Sequence, residues 1–263
     1  MTTEITLATT FHPRGETARL ERLYPQLLAA YRHLIVSLPP DAAEEDAERI
    51  GELPGVQTHV NADWAHGRYQ ALRLAAVTDA TCVHYCDMDR LLRWVETRPD
   101  EWTQTLKLVR QSDCLVIGRT AAAWDTHPQA LRQTEAISSG LFSRLLGQTL
   151  DLSAGSKGFS RRALDCLMAN TAPGRAIGTD AEWVVILHRA GFPVDAVLVD
   201  GLDWEIPDQH QSAAASPERQ RVLASQYDAD PGRWAHRVRI AQEIVDAGMD
   251  AWTRSLQLPT GGQ

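Results

Sequence analysis

The fold is decided by Thr81–Arg90, TCVHYCDMDR, a short apolar run that ends in two carboxylates. The apolar run predicts a buried strand, and Asp87 and Asp89 follow it one residue apart. Alternate residues of an extended chain point to the same face, so we expect these two side chains to point the same way. Open α/β sheets bind their ligands at the carboxyl ends of their strands. The stretch therefore predicts paired oxygen ligands for a hard divalent cation at that edge of a sheet.

A D-x-D pattern is short, and in a chain this rich in aspartate it should arise by chance roughly once. A second copy is present at Asp228–Asp230. It follows no predicted strand and precedes Pro231-Gly232, which is a turn signal. The context therefore favours the first pair as the functional one.

Length and composition indicate one large α/β domain or a domain with an appendage, since 44% of the 263 residues are hydrophobic and 23% are charged. The net charge of −8 argues against a nucleic-acid partner. The first ten residues, MTTEITLATT, lack the basic and apolar regions of a leader, and no stretch approaches membrane-spanning length. We therefore expect a cytoplasmic protein with no integral membrane segment.

The four cysteines lie in or beside apolar runs, and no second Cys/His pair stands at zinc-site spacing. This pattern predicts buried, reduced thiols of a cytosolic protein. The residues are Cys82, Cys86, Cys114 and Cys166.

Strands and helices alternate over most of the chain, which predicts a doubly wound, mainly parallel sheet flanked by helices. The predicted strands are Glu4–Phe11, His33–Leu38, Val56–Val60, Thr81–Cys86, Asp113–Gly118 and Val194–Val199. The pattern changes near residue 211, after which two helices are predicted, Ser216–Ala224 and Trp234–Trp252. We expect the second of them to pack on the sheet domain through one stripe, formed by Trp234, Val238, Ala241, Val245 and Trp252.

Four features occur in order: a β-α-β start, the strand-ending D-x-D, the segment GSKGFSRRAL from Gly155, and the helix start GTDAEWVVILHRAG from Gly178. Together they resemble the nucleotide-sugar glycosyltransferases of the GT-A fold, in particular the inverting family that includes dolichyl-phosphate mannose synthases and their soluble relatives. The resemblance spans Ile5–His210. It implies a metal-dependent hexosyltransferase that moves a sugar from a nucleoside-diphosphate sugar to an acceptor with inversion. Residues 1–211 would form the catalytic domain and residues 212–263 a helical extension.

The resemblance also implies roles for single residues. Asp89 would be the firmer ligand of Mg²⁺ or Mn²⁺, with Asp87 near the metal and the ribose. His210 would supply a third metal or phosphate contact, although a lone surface histidine is the plainer interpretation. Asp180 matches the catalytic acid of the family and would act as general base, with stabilisation of a helix N-terminus as the rival role. The donor would also be bound by Thr9, Asp63, Arg68 and Lys157. For Arg68 and Lys157 the alternative is that they are solvated surface charges with no role in binding.

Thr179 and Glu182 have the spacing of a capping box, which needs no function. This interpretation is preferred for Glu182 over a catalytic role.

Two departures from the family concern the donor base and the acceptor. The segment that usually holds the nucleoside base is replaced by Ser37–Asp41, so Asp63 is the candidate base contact. Glu135 stands where polyprenyl-phosphate enzymes have a basic residue, so a soluble small molecule or glycan is the expected acceptor. The sequence leaves open whether the protein forms a homodimer. Two alternatives also remain: a non-catalytic nucleotide-sugar-binding protein on the same fold, and a metal-dependent phosphohydrolase or nucleotidyltransferase.

Overall fold

The structure is a computed structural model that describes residues 5–257. Over these residues the chain forms a seven-stranded sheet in the order β3-β2-β1-β4-β6-β5-β7. Neighbouring strands are parallel except where β6 pairs with β4 and β5. The predicted mainly parallel α/β sheet is confirmed. The strands are β1 (Ile5–Thr10), β2 (His33–Leu38), β3 (Val56–Val60), β4 (Cys82–Cys86), β5 (Cys114–Arg119), β6 (Ser156–Ser160) and β7 (Val194–Val199).

Helices cover both faces of the sheet and enclose two apolar cores. One core lies under α1, α2, α4 and α5, and the other lies under α3, α7, α8, α9 and α11. The helices are α1 (Thr17–Ala30), α2 (Glu44–Gly51), α3 (Gly67–Ala75), α4 (Met88–Thr97), α5 (Pro99–Val109), α6 (Ala121–Asp125), α7 (Gln129–Leu146), α8 (Arg161–Asn170), α9 (Thr179–Arg189), α10 (Pro217–Asp228) and α11 (Pro231–Thr253). The predicted strand start at Glu4 and the end of the predicted extension, 258–263, lie outside the described residues.

The antiparallel strand β6 was not predicted, because its sequence SKGFS contains few of the residues that favour strands. Gly158 lies at its centre, where an added Cβ would come within 3.0 Å of Val109 and 3.3 Å of Leu115. A glycine is therefore required for close packing at a point where strand propensity alone would disfavour it.

The geometry expected for the D-x-D pair was wrong. Strand β4 ends at Cys86 and helix α4 begins at Met88, so Asp87 is the N-cap of a helix and Asp89 lies in its first turn. The two carboxylates are brought to one edge by a strand-to-helix turn and not by alternation along a strand.

The C-terminal helices α10 and α11 were predicted, but the buried stripe of α11 was assigned to the wrong face. Of the predicted stripe only Ala241 is buried, and Val238 is 57% exposed. A face of small residues packs on α7 and α9 instead, because an added Cβ at Gly248 would lie 2.2 Å from Phe142. The close approach of α11 to α7 and α9, and not the size of its apolar side chains, therefore determines which face of α11 is buried. The buried residues of α11 are Ala241, Ile244, Ala247, Gly248 and Ala251.

Three further sequence predictions can be compared with the structure. All four cysteines are free and buried, as expected. The second D-x-D is structural, since Asp228 accepts hydrogen bonds from the backbone N–H groups of Gln129 and Ala130 and Asp230 caps α11. Within residues 5–257, no helix has both the length and the apolar character needed to cross a membrane.

Candidate functional site

A cavity of about 490 Å³ opens where the parallel strands β1 to β4 reach their carboxyl ends. Each of these strands contributes a lining residue from its end or from the following loop, because parallel neighbours terminate at the same edge. These residues are Thr10, Ser37, Asn61 and Asp87.

Both carboxylate oxygens of Asp87 accept hydrogen bonds from protein side chains. Its Oδ1 accepts hydrogen bonds from the hydroxyls of Thr10, at 3.0 Å, and Tyr85, at 2.5 Å. Its Oδ2 accepts one from Nη2 of Arg68 at 2.8 Å. Gly155, with a φ of 68°, lies against this carboxylate, and a Cβ there would come within 2.6 Å of Oδ2. Asp87 therefore positions Arg68 at the cavity wall.

Asp89 also lines the cavity and has a different environment. Its Oδ1 accepts a hydrogen bond from the backbone N–H of Arg90 at 2.8 Å. Burial, followed by the charges of Glu205 and Asp87, raises the pKa of Asp89 to about 7. A cation bound beside Asp89 would offset the free-energy cost of ionising this carboxylate.

Glu205 is a cavity-lining residue that the sequence analysis missed. It lies between β7 and the short 3-10 helix Ile206–Asp208, and its residue exposure is only 6%. Its Oε1 lies 3.6 Å from Nε of Arg90, and its buried Oε2 has no hydrogen-bond partner among residues 5–257. The signal was present in Trp204–His210, but within that segment the histidine was chosen.

Arg68 connects Asp87 to Asp180. Its Nη1 donates to Oδ1 of Asp180 at 2.7 Å, and Nζ of Lys157 donates to the same oxygen at 3.2 Å. Burial alone would raise the pKa of Asp180, but the charges of Arg68 and Lys157 outweigh it and hold that pKa below its usual range. These two cations therefore favour the ionised form of Asp180.

The structure does not place every predicted residue in the cavity. Among the described residues, Asp180 and Lys157 are not part of the lining and lie behind Arg68. The Oδ2 of Asp180 is buried without a hydrogen-bond partner within residues 5–257. Lys157 is 1% exposed and also donates to the carbonyl of Leu152 at 2.9 Å.

Thr9 and His210 lie elsewhere as well. Thr9 is fully buried and donates to the carbonyl of its neighbour Thr10, which takes the cavity position. His210 has a φ of 59°, and its backbone N–H donates to the carbonyl of Arg14 at 2.8 Å. Neither belongs to the lining within the described part of the chain.

The capping role expected for Glu182 was wrong. The Oγ1 of Thr179 donates to the carbonyl of Ala176, and Glu182 is completely buried. Glu182 accepts from Oγ1 of Thr171 at 2.6 Å and from Nη2 of Arg254 at 2.7 Å. It joins α9 to the residue that follows α11.

One end of the cavity is lined by groups suited to a nucleoside. Asp63 is present there, as predicted, and it accepts from the backbone N–H and Nδ1 of His66. The hydrogen bond from His66 lowers the pKa of Asp63. Nearby, Nδ2 of Asn61 donates to Oγ of Ser37 at 2.7 Å, and Trp64 presents an aromatic side chain that is 54% exposed.

Part of the cavity rim is formed by the C-terminal helix α11, through His236 and Arg237. The Nη2 of Arg237 donates to Oε1 of Glu135 at 2.5 Å, and Nη2 of Arg119 donates to Oε2 of Glu135 at 2.7 Å. The acid at position 135 thus anchors two arginines in place of the basic residue of polyprenyl-phosphate enzymes.

The donor atoms at the cavity edge suit a hard cation, since Asp89 and Glu205 offer carboxylate oxygens and Oε2 of Glu205 lacks a partner within residues 5–257. Over those residues, no cluster of three or more His, Cys, Asp or Glu side chains is arranged to hold a metal ion. Mg²⁺ is commonly bound by one or two carboxylates together with substrate phosphates, and this cavity offers two such carboxylates, Asp89 and Glu205.

No protein-family model and no curated protein matches the sequence. The fold does match solved structures. Glucosyl-3-phosphoglycerate synthase of M. tuberculosis is 15% identical with a TM-score of 0.59, over 99% of this chain and 83% of that one. Mannosyl-3-phosphoglycerate synthase from Rubrobacter xylanophilus is 14% identical with a TM-score of 0.57, over 97% and 77%.

A second structure of the Mycobacterium tuberculosis enzyme, in complex with Mn²⁺, uridine diphosphate and phosphoglyceric acid, is 14% identical with a TM-score of 0.51, over 90% of this chain and 78% of that one. At such identities the likeness establishes the fold, and the fold is the GT-A arrangement that the sequence predicted.

Proposed function

We propose that this protein is a metal-dependent glycosyltransferase that moves a sugar from a nucleoside-diphosphate sugar to a soluble acceptor. The observation that carries the proposal is the cavity at the carboxyl edge of β1 to β4, which is lined by Asp87, Asp89, Arg68 and Arg90. Its volume is in the range of small-molecule sites. Carboxylates for a cation beside arginines for phosphate oxygens are the combination that a diphosphate requires.

In this proposal, different lining residues bind the nucleoside and the diphosphate of the donor. We place the nucleoside against Asn61, Asp63 and the exposed ring of Trp64, where polar groups and an aromatic face can bind a base and ribose. The diphosphate then lies over Asp89 and Arg90. A bound Mg²⁺ or Mn²⁺ would neutralise the charge that develops on the departing nucleoside diphosphate. The structures of the Mycobacterium tuberculosis enzyme with Mn²⁺ and uridine diphosphate support this choice of ligands.

In the transfer step, the bond between the sugar's anomeric carbon and the phosphate oxygen breaks, and a bond to the acceptor oxygen forms. We retain Asp180 as the proposed base that takes the acceptor's proton, which gives inversion in a single displacement. Because Arg68 lies between Asp180 and the cavity, this role requires Arg68 to exchange Asp180 for the donor's phosphates. The exchange is electrostatically feasible, since Arg68 would keep an anionic partner throughout.

The acceptor would enter at the rim formed by α11. Arg237 and His236 are there, with Arg90 on the cavity floor, and these donors favour a small anionic acceptor over a neutral glycan. A related structure contains phosphoglyceric acid, which is an acceptor-sized anion.

The proposal can be tested in two steps. First, thermal unfolding is measured with nucleoside diphosphates, with and without Mn²⁺, because a ligand at 100 times its Kd stabilises by about 2.7 kcal/mol. Second, release of the nucleoside diphosphate from its sugar conjugate is measured with and without anionic and neutral acceptors. Acceptor-dependent release supports the proposal. Binding without release would identify a nucleotide-sugar-binding protein, release independent of acceptor would identify a hydrolase, and no binding would overturn the proposal.

A further inference from the structure

Glu205 is a cavity-lining carboxylate with one oxygen near a counter-charge and the other without a partner among residues 5–257. Its residue exposure is 6%, and Oε2 is buried without a hydrogen-bond partner among residues 5–257. The cation beside Oε1, Nε of Arg90, is 3.6 Å away, which exceeds hydrogen-bond distance. Leaving a buried carboxylate oxygen without a hydrogen bond costs free energy, so a ligand that binds this oxygen would lower the free energy of the folded protein.

The hydrogen bonds of the D-x-D pair indicate which carboxylates are available to that ligand. Asp87 already accepts from Thr10, Tyr85 and Arg68. Asp89, in contrast, accepts from the adjacent backbone N–H of Arg90 and lines the same cavity as Glu205. A cation bound between the two carboxylates would compensate both negative charges.

We propose that Glu205 is the second protein ligand of the divalent cation, paired with Asp89, while Asp87 positions Arg68. This inference rests on the proposed function, because the remaining ligands would be diphosphate oxygens and water. Two carboxylates with phosphate oxygens form a hard oxygen set suited to Mg²⁺ or Mn²⁺. In this arrangement Glu205 takes the place that the sequence analysis gave to His210.

His210 is poorly situated for that role. An added Cβ at Gly15 would lie 3.0 Å from its Nδ1, so the imidazole packs beside the loop that follows β1. Its backbone is tied to the carbonyl of Arg14, and within the described residues it is not part of the cavity lining.

The test measures Mn²⁺ affinity from the electron paramagnetic resonance signal of free Mn²⁺, with UDP at fixed concentration. Glu205→Gln removes the charge at constant shape, and Glu218→Gln removes the same charge from the exposed start of α10 as a matched control. We expect Glu205→Gln to weaken Mn²⁺ binding at least about tenfold. Glu218→Gln should stay within twofold of the unmodified protein, and Glu205→Asp should fall between the two.

A metal-free thermal melt checks the fold of Glu205→Gln, which loses the 3.6 Å ion pair with Arg90, and Mn²⁺ affinities are compared at a temperature below the transition of every variant. Unchanged Mn²⁺ affinity in Glu205→Gln overturns the inference, as does a tenfold loss in His210→Ala with none in Glu205→Gln. Failure of the unmodified protein to bind Mn²⁺ with any nucleoside diphosphate is a separate result, which overturns the proposed function and this inference with it.

Discussion

In the metal-free protein, Asp89 makes the free energy of unfolding depend on pH. Its pKa of about 7 lies above that of an aspartate in an unfolded chain, so between about pH 4 and 7 the folded state binds more protons. Stability therefore falls as the pH rises through this window. An asparagine at position 89 cannot titrate. We therefore expect Asp89→Asn to reduce the fall in the free energy of unfolding by on the order of 1–3 kcal/mol, a value lowered for solvent screening because Asp89 is only partly buried.

The measurement is urea unfolding in the presence of EDTA at several pH values from 5 to 8, for both proteins. The difference between the two profiles isolates Asp89 from other titrating groups. Parallel profiles would show that Asp89 has an ordinary pKa and is not electrostatically poised for a cation.

Asp180 has a structural role in addition to its proposed chemistry. It is 1% exposed and neutralises Arg68 and Lys157, of which Lys157 is also fully buried. Asp180→Asn would leave Lys157 without its paired carboxylate and Arg68 with Asp87 alone, so we expect a loss of roughly 3–5 kcal/mol in the free energy of unfolding. Asp165→Asn, which breaks the exposed pair with Arg161, should cost at most about 1 kcal/mol.

The chemical role of Asp180 has a separate readout. Loss of a general base typically lowers the rate by about 10²–10⁴-fold, and this loss should appear in transfer to a hydroxyl acceptor by the folded fraction of Asp180→Asn. Near-normal transfer to a hydroxyl would confine Asp180 to its structural role. Retained configuration at the anomeric carbon would exclude the single displacement.

Sequence patterns located several of the charged residues that line the cavity. Asp87, Asp89, Asp63 and Arg68 do line it, because strand ends and the residues after them can be recognised from local periodicity. The choice of Thr9 over Thr10 was wrong by one residue, and in a strand one residue reverses the face. Glu205 was missed because its importance depends on an unsatisfied oxygen, and that is visible only in three dimensions.

At the scale of elements, the contact between α11 and its neighbours depends on small residues. A Cβ at Gly248 would lie 2.2 Å from Cζ of Phe142 and 2.8 Å from Cβ of Ala181. We expect Gly248→Ala to destabilise the protein by about 1–3 kcal/mol through overpacking. The measurement is chemical denaturation.

Gly140→Ala is the matched control, because Gly140 lies inside α7 and an added Cβ would meet no atom within 4 Å among the described residues. It should stabilise by about 0.5–1 kcal/mol through helix propensity. Equal effects of the two substitutions would contradict close packing of α11.

Elements with a strong local pattern were predictable, and those set by tertiary packing were not. The bounds of β2, β3 and β7 agree with the prediction, since each short segment is rich in Val, Ile, Leu or Thr and is set off from its neighbours by turn or helix signals. Helix α4 was missed because its first turn was taken as the end of a strand. The buried face of α11 was also wrong, because hydrophobic periodicity does not encode how closely two helices approach.

Across the whole molecule, buried ion pairs join the C-terminal segment to the sheet domain. Glu135 of α7 is paired with Arg237 of α11, and the fully buried Glu182 of α9 is paired with Arg254. Asp228 at the end of α10 also caps α7. The proposed boundary at residue 211 would thus divide the chain without separating two independent folding units.

We therefore expect a fragment of residues 1–211 to lack a cooperative thermal transition, whereas the full chain should unfold in one. Truncation uncovers the apolar surfaces of α7 and α9 under α11 and leaves Glu182 with Arg175 but without Arg254, and removal of one partner of a buried pair costs up to about 3–5 kcal/mol. That loss is a large part of the total stability of a typical domain. Circular dichroism melts and binding of an apolar dye would measure both effects, and addition of a 212–263 peptide should reverse them. A cooperative melt of the 1–211 fragment near the temperature of the full chain would mean that the extension is dispensable for folding, and Arg237 would then contribute to the acceptor rim alone.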